Sequence, residues 1–182
     1  MAEALTVAAI AIKAFFAAYL LFAAAHKLVD QARFEQTLEE YQLLPAWALA
    51  PTAKLLPYIE VLVVLLIVWP ATAVMGLLLC TGLMTVYLLA MMSTLLRHIR
   101  LQDCGCGGIG AQAAVGRWHL MRNAAFVLLS VVGATLTGLA LNISLSGVVT
   151  GALVGGIFTL LCLSLEGLHS NDRILQGILS HE

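Results

Sequence analysis

Residues 71–96 read ATAVMGLLLCTGLMTVYLLAMMSTLL, without one charged side chain. A helix needs about 20 apolar residues to cross the hydrocarbon core of a bilayer, and this run exceeds that length. Lipid offers no water to backbone N–H and C=O groups, so such a run is stable only as a helix that satisfies them internally. The flanking sequence repeats the pattern. Upstream, residues 4–25 are interrupted only by Lys13, and residues 55–69 only by Glu60, before Pro70 marks a turn. Downstream lie residues 124–141 and 143–165, joined by a turn around Asn142, Ser144 and Gly147. The last run carries Gly151, Gly155 and Gly156, small residues that let helices approach closely. The reading is an all-α, polytopic transmembrane bundle of about five spans, a single domain over residues 1–182.

The composition excludes the alternatives. Of 182 residues, 62% are hydrophobic and 10% charged, where an ordinary soluble domain carries roughly 25% charged residues. The mean hydropathy is +0.99. A net charge of −1 provides no basic field for nucleic acid. The first apolar run lacks a basic leader and a small-residue cleavage site, so it reads as a retained helix.

Two segments are not spans. Between His26 and Pro51, Phe34, Leu38 and Tyr41 recur at helical spacing among charged residues. This pattern predicts a short amphipathic helix at the interface, capped by Asp30 and ended by Pro45. Residues 97–122 form the second segment, with Asp103-Cys104-Gly105-Cys106-Gly107-Gly108 at its centre. So many glycines argue for a loop. With five spans, every Lys and Arg outside the apolar runs falls on one face of the membrane. The positive-inside rule then puts the N-terminus outside, and the cysteine loop and C-terminus inside.

The cysteines divide. Cys80 and Cys162 lie inside apolar runs and read as small hydrophobes. Cys104 and Cys106 sit among glycines at a membrane boundary. One reading makes them a redox pair: Gly105 lets the backbone bend, and a bond across so small a ring is strained and exchangeable. Nearby arginines favour thiolates, whereas Asp103 opposes them. A second reading makes them metal ligands with His98 or His119, but two cysteines do not complete a tetrahedral site and no metal is assigned. A third leaves them inert.

Lys13 and Glu60 are the costly residues, since a charge at mid-membrane costs at least ~2.5 kcal/mol. Glu60 should therefore face the bundle interior. Two pairings stand open: Lys13 with Glu60, or Lys13 snorkelling outward while Glu60 reaches His26 or Lys27. Trp118, His119, Arg122 and Asn123 stand where the cysteine loop meets the next span. Trp118 suits an interfacial anchor, and Arg122 is the candidate for orienting the loop.

These residues carry a resemblance. His26-Lys27, Phe34 and Tyr41-Gln42-Leu43-Leu44-Pro45 lead to Pro57 and Glu60; then come Asp103-Cys104-Gly105-Cys106-Gly107, Trp118 and Arg122-Asn123. Over residues 10–140 the chain resembles the MauE family of methylamine-utilisation membrane proteins, related to DoxX-like redox-associated proteins. Gly108 departs from the bulkier residue common in that family. The resemblance implies a multi-pass protein of the bacterial inner membrane. It implies a role in maturing the exported, disulfide-rich small subunit of methylamine dehydrogenase, with a thioredoxin-like, MauD-like partner. By similarity to membrane thiol oxidoreductases it admits a membrane quinone, although no cofactor is written in the residues. A periplasmic partner wants the loop outside, whereas the charges put it inside; both expectations stand.

The leading functional expectation is thiol–disulfide exchange through Cys104 and Cys106. A non-catalytic scaffold or chaperone for the thioredoxin-like partner is the alternative. A small-solute or metal transporter comes third, since internal repeats are absent.

Overall fold

The computed structural model of the chain describes residues 2–99, 117–139 and 145–179, with side chains of the last segment given as far as Leu168. Each apolar run is a helix: α1 (Ala2–Val29), α2 (Gln31–Glu40), α3 (Ala46–Val68), α4 (Ala73–Leu96), α5 (Arg117–Leu139) and α6 (Leu145–Leu179). All but the short α2 are long and apolar enough to cross a membrane. The described residues contain no strand. The chain is thus a multi-pass helical membrane protein, as residues 71–96 predict.

α2 is the amphipathic connector expected from the sequence. Asp30 caps it, accepting a hydrogen bond from the Arg33 N–H at 3.1 Å, and Phe34 and Thr37 are its buried residues. Its end departs from the expectation. The helix stops at Glu40, and Gln42 takes a left-handed conformation (φ 51°). Pro45 does not end α2 but opens α3, its fixed φ of −67° leading into the first turn. Accordingly α3 starts well before residue 55 and runs through Pro51 and Pro57. Each proline removes one N–H from the ladder, a loss that membrane helices tolerate when neighbours satisfy the freed groups.

Two other boundaries shift for a common reason. α5 begins at Arg117 and not at 124, so the loop read as 97–122 ends earlier. α6 continues beyond residue 165. Polarity sets where an apolar run ends, but a backbone ladder continues through polar side chains that find partners or water.

α4 ends in a full Schellman turn. The His98 N–H donates to the Leu95 carbonyl (3.2 Å) and the Ile99 N–H to the Thr94 carbonyl (3.0 Å). His98 holds the left-handed position (φ 56°) usually given to glycine. From the same helix end, Arg97 donates to the Gln42 carbonyl at 3.3 Å and to Gln42 Oε1 at 3.2 Å. The end of α4 is thereby tied to the end of α2. Leu120, near the start of α5, packs with Ile99 against Tyr41 and Met91 at the same end of the bundle.

α1 is the central helix, packed against α6, α3 and α5; α4 packs on α5 and α3, and α2 covers α3. Lipid tails are as apolar as leucine, so close packing and interhelical hydrogen bonds hold these contacts, not the expulsion of water. Phe15 sits at the centre, with the Phe16, Phe126 and Phe158 rings edge-on at 5.0, 5.3 and 5.0 Å. Thr81 and Ser130 join α4 to α5 through a 2.8 Å hydroxyl pair. Gly155 brings α6 against α1: a Cβ there would meet Ala14 Cβ at 2.8 Å and Phe15 N at 2.9 Å. Gly151 makes the equivalent approach one turn earlier, whereas Gly156 meets nothing within 4 Å. Of the three glycines, two seat the helix.

Candidate functional site

Two clusters of ionisable side chains are buried in the bundle. The first is built on α1, α3 and α4. Lys27 stands in the last turn of α1, where a cation also suits the helix dipole. Its ammonium group does not snorkel outward. It turns into the bundle and pairs with Glu60 Oε1, and the two side chains are 2% and 0% exposed. The Tyr87 hydroxyl donates to the same Glu60 oxygen at 2.6 Å. Lys27 Nζ also lies 3.3 Å from that hydroxyl, and 5.3 and 5.0 Å from the Phe34 and Tyr87 ring centroids. Among the described residues Glu60 Oε2 is buried with no hydrogen-bond partner.

This decides between the open pairings. Glu60 faces the interior, as its cost in lipid requires, and takes Lys27 in place of Lys13. Lys13 is half-buried on α1, roughly 21 Å of helix rise from Lys27 at 1.5 Å per residue.

The second cluster joins α5, α6 and α1. Arg122 pairs with Glu166, with side chains 8% and 10% exposed. The Tyr19 hydroxyl lies 3.4 Å from the same Glu166 oxygen, and the guanidinium stands 5.8 Å from the Phe126 ring centroid. Arg122 therefore directs its charge into the bundle. Glu166 went unrecognised in the sequence because it falls one residue past the apolar run 143–165. A lone carboxylate directly after an apolar run of spanning length is the signal that finds it.

A narrow gap beside the first cluster is lined by Tyr19, Lys27, Glu60, Tyr87 and Asn123. Asn123 is 1% exposed and donates to Met91 Sδ at 3.0 Å. His119 is half-buried and Trp118 is 44% exposed. Trp118, His119, Arg122 and Asn123 all lie on α5, not in a loop.

Cys80 is fully buried in the core beside Leu77 and Met84, and Cys162 packs against that core; both are free thiols. Cys80 is enclosed in the core, and Cys162 is partly buried against it. Asp103, Cys104, Gly105, Cys106, Gly107 and Gly108 lie outside the described residues. Their two flanks are described: Ile99 follows the Schellman turn of α4, and Arg117 opens α5. Among the described residues no group of three His, Cys, Asp or Glu is placed to hold a metal ion.

Taken together, the buried charges have a structural consequence and a chemical one. Structurally, they cross-link five helices at the α2 end, because an ionised pair in a low-dielectric interior tolerates little separation. Chemically, they place proton donors and acceptors inside the membrane, where such groups ordinarily mark function.

Comparison with known proteins agrees with this architecture. Residues 5–136 match the family model described as "Methylamine utilisation protein MauE". The chain is 29% identical over 152 residues to the methylamine utilization protein MauE of Methylophilus methylotrophus, covering 83% of this chain and 77% of that protein. It is 29% identical to the protein of the same name from Paracoccus denitrificans, over 85% of this chain and 83% of that one. Against the Methylorubrum extorquens protein it is 28% identical, over 91% and 90%. No solved structure matches the chain. The matched region runs from α1 to α5 and contains Lys27, Glu60, Tyr87, Arg122, Cys104 and Cys106; on that ground the chain belongs to the MauE family.

Proposed function

We propose that this protein is a membrane thiol–disulfide exchange protein of methylamine utilisation, using Cys104 and Cys106 to assist disulfide formation in an exported enzyme. By family, the client is the small subunit of methylamine dehydrogenase, and a thioredoxin-like protein is the exchange partner. The observation that carries this reading is how the Cys-Gly-Cys segment is flanked. α4 leads into it through a defined stop at His98 and Ile99, tied to α2 through Arg97 and Gln42. α5 leads out of it, fixed by the pairing of Arg122 with Glu166. A thiol that exchanges through a mixed disulfide needs a partner's sulfur to reach it repeatedly at one site. A segment whose two flanking helices are both fixed in the bundle meets that need, and of the other two cysteines Cys80 is buried in the core and Cys162 packs against it.

The test is activity of the matured enzyme in cells carrying single variants. Cys104→Ser and Cys106→Ser should insert normally and lose maturation, with the surviving thiol trapping its partner. Cys80→Ser and Cys162→Ser should retain it. Alkylation before and after reduction, read by mass spectrometry, should show Cys104 and Cys106 changing state together. Full maturation in both loop variants would leave a scaffold for the thioredoxin-like partner in place of exchange.

A further inference from the structure

α2 and α4 stop in the same way and at the same place. Gln42 follows the end of α2 with φ 51°, and His98 follows the end of α4 with φ 56°. Among the described residues these are the non-glycine residues with positive φ. The left-handed conformation pushes Cβ against the backbone, so helix stops of this kind ordinarily use glycine. A side chain at either position favours the right-handed turn, in which its helix runs on. Two strained stops at one junction need a common restraint.

Arg97 supplies it. Arg97 caps α4, and its guanidinium reaches across to the turn after α2. Nη1 donates to the Gln42 carbonyl at 3.3 Å and Nη2 to Gln42 Oε1 at 3.2 Å, with the Tyr41 carbonyl 3.5 Å from Nη1. On the inner side Tyr41 packs with Met91, and Ile99 and Leu120 close around them. The junction thus has a buried apolar half and an exposed polar half. The polar half is the weaker, because water competes for an exposed donor and its neutral acceptors. Beneath α2 there is also room to move. Protein interiors seldom leave voids larger than a water molecule. Here a cavity of about 210 Å³ lies between Phe34, Leu38 and Tyr41 on one side and Leu56, Val86 and Ala90 on the other. α2 is a short helix jointed at Asp30 (φ −127°, ψ 68°) and at Gln42. It can tilt into the cavity about Tyr41 while the long helices stay where they are.

We propose that Arg97, Gln42 and His98 form a strained latch with two states. In the latched state the guanidinium holds Gln42, both helices stop in left-handed turns, and α2 stands over the cavity. In the released state the guanidinium leaves Gln42, both residues return to right-handed geometry, α2 tilts into the cavity, and α4 winds on past residue 98. Ile99 is the last described residue before Cys104 and Cys106, so the latch sets where α4 hands the chain on towards them. In the thiol-exchange reading, on which this last step rests, the reactivity of the two thiols follows the position of α2. The latch itself is built from residues outside the cysteine segment.

The experiment uses the full chain in lipid nanodiscs, with Cys80→Ser and Cys162→Ser so that Cys104 and Cys106 are the thiols present. Spin labels carried on unnatural amino acids replace Gln36 of α2 and Leu65 of α3, both exposed, and report where α2 stands. A water-soluble maleimide, added after reduction, reports the thiols. This parent chain should show one main distance. Arg97→Ala should add a second distance and speed alkylation about fivefold, the effect of losing weak hydrogen bonds from one state. His98→Gly relieves the left-handed clash and spares every hydrogen bond of Arg97, so it should leave distance and rate as in the parent. Combined with Arg97→Ala, it should bring both readouts back towards the parent. Arg97 and His98 are exposed, so neither change hollows the core. Identical distances in the parent and Arg97→Ala would overturn the latch. A moved α2 with an unchanged alkylation rate would overturn its control of the thiols, and absence of rescue by His98→Gly would overturn the strain. The two readings fail separately: full maturation in Cys104→Ser and Cys106→Ser defeats thiol exchange and leaves the distances as they are.

Discussion

The two buried ion pairs are built alike and enclosed differently. Each takes a cation, a carboxylate and a tyrosine from three helices, and α1 serves both, giving Lys27 to one and Tyr19 to the other. In the first, Lys27 and Glu60 are 2% and 0% exposed and the tyrosine hydroxyl lies 2.6 Å from the carboxylate. In the second, Arg122 and Glu166 are 8% and 10% exposed and the hydroxyl is 3.4 Å away. The difference teaches that one chemical unit does two jobs. Deep in the bundle it fixes α1, α3 and α4 to one another, with both charged side chains closed off from the surface. Where the apolar run of α6 ends it clamps α5, the helix that follows the cysteine segment.

The largest separation between the pairs should come from removing one carboxylate. Glu60→Leu strands the Lys27 charge in an enclosed site and should cost about 3–5 kcal/mol, read as loss of folded protein or a lowered unfolding midpoint in mild detergent. Glu166→Leu leaves Arg122 closer to solvent and should cost less, about 1–3 kcal/mol. Equal losses would mean that the small difference in exposure carries no energetic weight. Next come the tyrosines. Tyr87→Phe deletes a short hydrogen bond to a charged group and should cost about 1.5–3 kcal/mol. Tyr19→Phe deletes a long one and should cost about 1 kcal/mol or less in the same assay. The smallest effect should come from removing a whole pair. Lys27→Met combined with Glu60→Leu leaves no charge behind and should fold within about 1 kcal/mol of the wild type. A loss of several kcal/mol in that double variant would mean that the pair itself, and not the stranded charge, holds the three helices together.

The legibility of the two pairs differs for a physical reason. Glu60 stands out in the sequence because it interrupts residues 55–69, and an isolated charge in an apolar run must be paired or functional. Its partner does not stand out. Lys13 interrupts an apolar run just as visibly, and reach alone left it equal to Lys27. Glu166 is quieter still, sitting one residue past the run 143–165, where a carboxylate costs little. Helix ends were misjudged on the same basis. Residues 46–54 and 117–123 are helical although polar or proline-bearing, because the hydrogen-bonded ladder, not hydropathy, decides where a helix stops. Pro45 is the clearest case: proline signals a break, and only its neighbours show that it starts α3 and does not end α2.

What the sequence determined by itself is the class and the count of spans. An uncharged run such as 71–96 has one stable solution in lipid, a helix, and five such runs make a bundle whatever their contacts. It also singled out Cys104 and Cys106, since glycine density and paired thiols are local features. The tertiary structure decided which charges meet and that α1 stands at the centre. Those depend on helix rotation and depth, which arise from close packing at positions such as Gly155 and Phe15. A periodicity along one strand of sequence constrains each helix about its own axis and leaves open which neighbour that axis faces.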